Sequence, residues 1–259
     1  GIRDDLVTGV QTCALPICHI EVQILSDNSG HAIHLGERDC SIQRRHQKLI
    51  EESPSPFISK AVGEEIGKAA IKAAEGIKYH GAGTVEFVVD KDQNFYFIEM
   101  NTRVQVEHPV TEMVAFIDIV KEQIRIAATG KLALKQSDIK CRGHAIEFRI
   151  NAEDYKRNFA PCPGKIDLFL PPGGFGVRID THLYPGYVVP PFYDSLLCKV
   201  IVWGKNREEA LKRARRALDE FVIDGVETTI SFHELVLENE AFKAGQFDTS
   251  FIDTYLDTL

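Results

Sequence analysis

Glu99, Asn101, Arg103, Gln105 and Glu107 fall at every second position of the stretch Phe95-Tyr-Phe-Ile-Glu-Met-Asn-Thr-Arg-Val-Gln-Val-Glu-His-Pro109. Read as a strand running into an extended loop, the segment alternates strictly. Phe95 and Phe97 precede the five polar residues on one face, and Tyr96, Ile98, Met100, Thr102, Val104 and Val106 occupy the other. Two carboxylates, two amides and a guanidinium in one row suit a hard cation and an anionic substrate. Carboxylate and amide oxygens ligate such cations, and a guanidinium grips an anion through paired donors. A half-buried strand with no chemistry to do would carry scattered Lys, Ser and Thr on its outer face. Fully extended, Glu99 to Glu107 would span roughly 26 Å, so the chain must bend after Asn101 for the row to serve one site.

Alternating strands and helices must hold this row. His19–Leu25 and His31–Leu35 read as strands joined by the turn Asp27-Asn-Ser-Gly30. Pro54-Ser-Pro56 interrupts the chain, and Ser59–Gly76 then reads as a helix with Ala61, Ile66, Ala69, Ala70 and Ala73 on its apolar side. Thr84–Val89 and Asn94–Met100 are expected to pair antiparallel around Asp90-Lys-Asp-Gln93, which brings Glu86 beside Glu99. Asp118–Thr129 reads as a helix closed by Gly130, and polar Leu132–Cys141 as a boundary before a second unit. That unit opens with the strand Gly143–Ile150, where Arg149 shares parity with Glu147 and Ala145. It continues through short strands punctuated by proline and glycine to an amphipathic helix over Arg207–Phe221. Gly1–Cys18 has no clear period and reads as a foreign junction.

Composition narrows the function classes. A chain of 259 residues with 44% hydrophobic content can build one large core or two smaller ones, and a net charge of −8 argues against a general nucleic-acid binder. No apolar run is long enough for a bilayer. The six cysteines are dispersed without a C-x-x-C pair, which favours a reduced, cytoplasmic setting over a disulfide framework or zinc site. Gln43-Arg-Arg-His-Gln-Lys48 reads as a solvated charge run or a phosphate site. Gly173-Gly-Phe-Gly176 reads as a turn, since a strand-like Val177–Asp180 follows it where a phosphate loop would open a helix. Lone histidines such as His182 and His233 take structural or surface roles by default.

Three longer stretches, Glu37–Lys48, Phe97–Glu112 and Arg142–Asp154, together with Pro172–Arg178 and Tyr193–Ser195, closely resemble biotin carboxylase. The resemblance runs from His19 almost to the C-terminus. It implies an α+β fold, the C-terminal portion of an ATP-grasp domain over residues 19–135 followed by a biotin carboxylase C-terminal domain over 140–259. It also implies carboxylation of biotin by ATP and bicarbonate with magnesium or manganese. The partners implied are a biotin carboxyl carrier protein, carboxyltransferase subunits and a second copy of the chain. Family members are longer at the N-terminus, where they carry a Rossmann-like domain and most of a lid. The resemblance therefore presents this chain as a fragment inactive by itself.

Carried over residue by residue, the resemblance implies that Glu86, Glu99 and Asn101 ligate the metal. His19, Gln43 and His46 would contact the nucleotide, with Val88 and Ile98 walling the adenine. Lys48, Arg103, Gln105 and the backbone amide of Val106 would hold bicarbonate. Glu107 would be its general base, and Arg149 would stabilise the enolate-like oxygen of biotin. Two alternatives stay open: another ATP-grasp ligase of the carbamoyl-phosphate synthase type, and a non-catalytic dimerisation remnant.

Overall fold

The computed structural model describes residues 17–256. Local chemistry sets most of the element ends. Strands β1 (Ile17–Ser26) and β2 (Ala32–Arg44) form the expected hairpin, and the Asp27 carboxylate accepts from the backbone of Ser29 and His31 across the turn. Strand β3 (Gln47–Ser53) returns from β2 through Arg45 and His46, which both have positive φ (48° and 65°). A two-residue turn with both residues left-handed matches strand twist but is usually made by Asn-Gly, so two bulky residues here carry backbone strain. Helix α1 (Lys60–Gly76) starts at Ser59, whose hydroxyl accepts from Val62 N. Strands β4 (Gly81–Asp90) and β5 (Phe95–Asn101) pair antiparallel, and helix α2 (His108–Ala115) follows β5 after a short irregular stretch. Helix α3 (Ile119–Thr129) has the Asp118 carboxylate at its start and left-handed Gly130 at its end.

The second half adds β6 (His144–Asn151), β7 (Val177–Thr181), β8 (Leu196–Gly204), α4 (Arg207–Asp219) and α5 (Ile230–Glu238). These eight strands form one sheet in the order β7-β8-β6-β3-β2-β1-β4-β5, with every neighbour antiparallel, and shorter strands pair separately. The β3–β6 pairing thus carries the sheet without a break past the polar stretch read as a boundary. That stretch is itself docked, since His34 and Gln136 exchange two hydrogen bonds (2.9 and 3.0 Å) and Asp27 accepts from Leu132 N.

Each face of the sheet has its own character. One is apolar: α1 covers Ile20, Val22, Val85 and Phe87, while α4, α5 and the C-terminal segment cover Ile146, Phe148, Ile150, Val200 and Val202. The other presents Glu21, Gln23, Arg38, Lys48, Glu51, Thr84, Glu86, Glu147 and Arg149, partly roofed by α2, whose Val110 and Val114 pack on Ala145 and Ile201. No helix among the described residues is long and apolar enough to cross a membrane.

Four expectations need correction. Most of the segment read as a junction lies outside the described residues, but Ile17 and Cys18 open β1, paired with Asp90 and Val89. The second strand does not stop at Leu35 but runs on to Arg44. The extended reading through Pro109 gives way to α2, where a proline in the first turn costs no hydrogen bond. The helix begun at Arg207 ends at Asp219, and Phe221 packs into the core just beyond it.

His233, on α5, is fully buried against Phe148, and its Nε2 lies 2.7 Å from the carbonyl of Arg149. A carbonyl only accepts, so Nε2 carries a proton, and the buried Nδ1 has no partner that would accept a second one. Burial, opposed only by that hydrogen bond, pushes its pKa from 6.5 down to about 4. A depressed imidazole lends stability that is fully present above pH 6.5 and lost as pH falls through about 4. Urea titrations across that window should show stability falling by about 3 kcal/mol, and His233→Gln should flatten the slope. An unchanged slope in the variant would refute this role.

Candidate active site

The site is built from strand alternation. In β1, Ile20, Val22 and Ile24 enter the apolar core, so Glu21 and Gln23 must face the other way. Register places Arg38 of β2 opposite Glu21. Arg38 is completely buried, and all five of its N–H donors are used. Nε donates to Glu21, Nη1 to Gln23 (2.7 Å) and Thr111 (3.0 Å), and Nη2 to Thr84 and Gln105 (both 3.2 Å). One guanidinium therefore binds β1, β2, β4, the stretch before α2 and α2 itself.

Lys48 stands next to this hub. Its Nζ donates to Glu21 and Glu107 at 2.6 Å each and to Glu86 at 3.5 Å. Burial works against the ammonium, but these three carboxylates outweigh it and hold its pKa above the ordinary lysine range. Glu21 and Glu86 are pulled the other way. Burial alone would raise both, yet Arg38 and Lys48 bring Glu21 down to about 2, and a hydrogen bond from His19 together with the Lys48 charge does the same for Glu86. Glu107 has both carboxylate oxygens held: Oε1 by Lys48, and Oε2 by Arg149 Nη2 at 3.0 Å. Arg149 Nε in turn donates to Glu51 at 2.5 Å. Its Nη1 has no protein partner among the described residues, which leaves a cationic donor for a ligand.

Glu86 and Glu99 are cross-strand partners. The Asn101 amide nitrogen reaches one oxygen of each, at 2.8 and 3.1 Å, and Gln105 and His19 also hold Glu86 (both 2.7 Å). Two carboxylates within reach of one side-chain amide fit a small hard cation, since rotating the amide turns its oxygen toward them. The strict alternation expected along β5 fails, however. A bulge at Ile98 shifts the register, so Glu86 pairs with Glu99 but Phe87 with Phe97. Phe95 and Phe97 therefore lie on the face opposite Glu99, and Ile98 joins Glu99 on the site face.

A cavity of about 850 Å³ opens over this face. His19, Gln43, His46, Lys48, Glu86, Val88, Ile98, Glu99, Asn101, Arg103, Gln105, Val106, Glu107 and Arg149 all line it. The basic run at Gln43–Lys48 is the β2–β3 hairpin at its rim. Gly173–Gly176 is a turn, as expected, and it leads into β7 at the far edge of the sheet. Sequence reading missed Arg38, Glu21, Glu51 and Lys199. Lys199 Nζ donates to the Val106 carbonyl at 2.7 Å and so fixes the peptide that precedes Glu107. The sequence signal for Glu21 was a charge within a largely apolar strand, whereas Arg38, flanked by Glu37 and Asp39, carries no such signal.

Comparison with known proteins agrees with this geometry. The domain family described as the carbamoyl-phosphate synthase L chain, ATP binding domain, matches residues 15–135, and the biotin carboxylase C-terminal domain matches residues 147–254. Biotin carboxylase 1 of Bacillus subtilis (strain 168) is 59% identical over 238 residues, 92% of this chain and 53% of its own length. A pyruvate carboxylase subunit of Methanothermobacter thermautotrophicus is 56% identical over 237 residues, 92% of this chain and 48% of its own. The biotin carboxylase domain dimer of the Hydrogenobacter thermophilus 2-oxoglutarate carboxylase, solved with MgADP, ADP and bicarbonate, superposes with a TM-score of 0.90 at 50% identity. That match covers 92% of this chain and 53% of the other. The chain belongs to the biotin carboxylase family. It spans about half the length of the curated relatives it matches. In this biotin carboxylase fold, the ATP-grasp strands β1–β5 and the C-terminal strands β6–β8 meet at the β3–β6 pairing. Lys48 and Arg149 reach Glu107 from the two sides of that junction.

The five acceptors around Arg38 make it the hardest residue of the site to replace. Lysine offers three donors from one point and cannot span them. Arg38→Lys should cost about 3 kcal/mol, within the range for breaking a buried charge network, and lower Tm by roughly 10 °C. Thermal and urea denaturation indistinguishable from the parent would rule out the hub.

Proposed function

We propose that this chain forms part of an enzyme that carries out the ATP- and bicarbonate-dependent carboxylation of biotin borne on a carrier protein, by way of carboxyphosphate. The observation that carries this reading is the Glu107 carboxylate, held between Lys48 and Arg149 in the cavity that also contains Glu86, Glu99 and Asn101. With both oxygens fixed, Glu107 has one orientation from which to take the bicarbonate proton. Lys48, Arg103, Gln105 and the Val106 amide hold the anion, which then attacks the γ-phosphate. His19, Gln43 and His46 position the nucleotide, with Val88 and Ile98 against its base. Glu86, Glu99 and Asn101 hold magnesium or manganese, which supplies positive charge against the phosphate oxygens. Arg149 stabilises the oxygen of the biotin ureido group as charge develops on it during attack on carbon dioxide.

We place the reaction as the first half of an acyl-CoA carboxylase cycle in the cytoplasm, in a dimeric protein with carboxyltransferase partners. Relatives named for pyruvate and 2-oxoglutarate carboxylases carry a similar chain, so the acceptor is chosen outside these residues. A ligase of the carbamoyl-phosphate synthase type would share the ATP-binding half. The match of the C-terminal half to biotin carboxylases, with Arg149 on β6, favours biotin.

In the whole protein, Arg149→Ala should lose biotin carboxylation but keep measurable bicarbonate-dependent ATP hydrolysis, because Lys48 still holds the Glu107 carboxylate in place. Glu107→Ala should lose both activities, by about 100-fold or more. Equal ratios of hydrolysis to carboxylation in the two variants would overturn the assignment. Glu99→Gln should cut both by a similar factor, with the loss only partly recovered at high magnesium. Unchanged hydrolysis in Glu99→Gln would remove Glu99 from the metal set.

A further inference from the structure

Glu51 and Glu147 lie behind the cavity and do not line it. They are cross-strand partners on β3 and β6, which sets their Cβ atoms about 5 Å apart. Both side chains are completely buried. Glu51 Oε1 accepts from Arg149 Nε, but Glu51 Oε2 and both Glu147 oxygens have no hydrogen-bond partner. On its other flank Glu147 faces Ile201 of β8, and Val110 and Val114 of α2 pack over this part of the sheet. The charges facing Glu147 are Glu51 from β3, Arg149 from β6, Lys199 from β8 and Glu107 from the stretch before α2. His108 of α2 faces Lys199.

Three buried acceptors without a donor are costly, and two adjacent carboxylates both ionised in an apolar setting cost more. One proton relieves both problems and leaves a single Glu147 oxygen without a partner. On Glu147 it turns an orphan oxygen into a donor and gives Glu51 Oε2 a partner. Burial and the neighbouring Glu51 push Glu147 well above the ordinary carboxylate range, while Glu51, buried but touched by Arg149, rises to about 7. The proton therefore belongs on Glu147 and the charge on Glu51.

We infer that Glu147 is a protonated carboxyl donating to Glu51, and that the pair acts as the clamp that positions the Arg149 guanidinium. The Arg149 backbone is fixed independently, because its carbonyl accepts from His233 Nε2 and from Thr229 Oγ1 at 2.9 Å. The aim of its side chain depends only on two carboxylates, Glu51 at Nε and Glu107 at Nη2. On the proposed reaction, which this inference deepens, the bicarbonate proton passes to the Glu107 carboxylate and cancels its charge. Glu51 is then the one charged anchor left on the guanidinium, at the moment when Arg149 must meet biotin. No proton leaves the Glu51–Glu147 pair in this sequence. Glu51 and Glu147 are thus positioning residues acting through Arg149.

Two measurements test this. Infrared difference spectra at neutral pH between the parent and Glu147→Gln should show loss of a protonated-carboxyl C=O band, independently of any activity. Absence of that band overturns the protonation. In the whole protein, Glu51→Gln should lower kcat for biotin carboxylation by about tenfold or more while KM for ATP holds and bicarbonate-dependent hydrolysis persists. Glu147→Ala should reproduce that split, and Glu147→Gln should restore carboxylation, because its amide can still donate to Glu51. Equal loss of hydrolysis and carboxylation in Glu51→Gln, or a Glu147→Gln as impaired as Glu147→Ala, overturns the clamp. A parent protein that carboxylates no biotin would defeat the functional reading, while the infrared result would still decide the proton.

Discussion

A guanidinium with no access to water is the constraint on which the rest of this structure depends. Arg38 sits under the cavity with each of its five donors matched to a different residue. A buried charge is tolerable only when its partners are all in place. The register of β1 with β2 and β4, and the docking of α2 through Thr111, must therefore be correct together. Gln105 shows how far this reaches, because its carbonyl oxygen serves Arg38 while its amide nitrogen donates to Glu86 at 2.7 Å. The structural hub and the proposed metal ligands are one bond network.

Around that hub the sheet face is a near balance of opposite charges. Lys48 has three carboxylates and Arg149 has two, and each carboxylate takes a separate role from its surroundings. Glu21 and Glu86 touch cations or hydrogen-bond donors on several sides and stay ionised to low pH. Glu51 and Glu147 are as buried as Glu21 but have fewer donors and are pushed the other way. In the proposed mechanism the same residue type serves as metal ligand, base and clamp, and burial and neighbours decide which.

The continuous sheet explains how two family-defined halves make one site. Glu107 receives Lys48 from β3 and Arg149 from β6, strands paired directly with each other. A hinge at that seam would separate Glu107 from one of its cations. The β3–β6 ladder and the packing of α2 across both strands oppose such a motion.

Much of this was legible in the sequence because the causes are local. Strand and turn patterns marked β1, β4 and β6, the caps Ser59, Asp118 and Gly130 marked helix ends, and the short motifs carried the family and the cavity residues. What the sequence could not display depends on partners far along the chain. The bulge at Ile98 exists only in the pairing of β4 with β5, and it reverses the faces of Phe95 and Phe97 relative to Glu99. Arg38 looks like any strand arginine until residues from positions 21 to 111 close around it. By itself the sequence determined which residues could do the chemistry, since residue type and spacing are properties of one segment. Only the tertiary structure decided which of them meet, which are charged and which stay dry, because burial and register are set by the whole sheet.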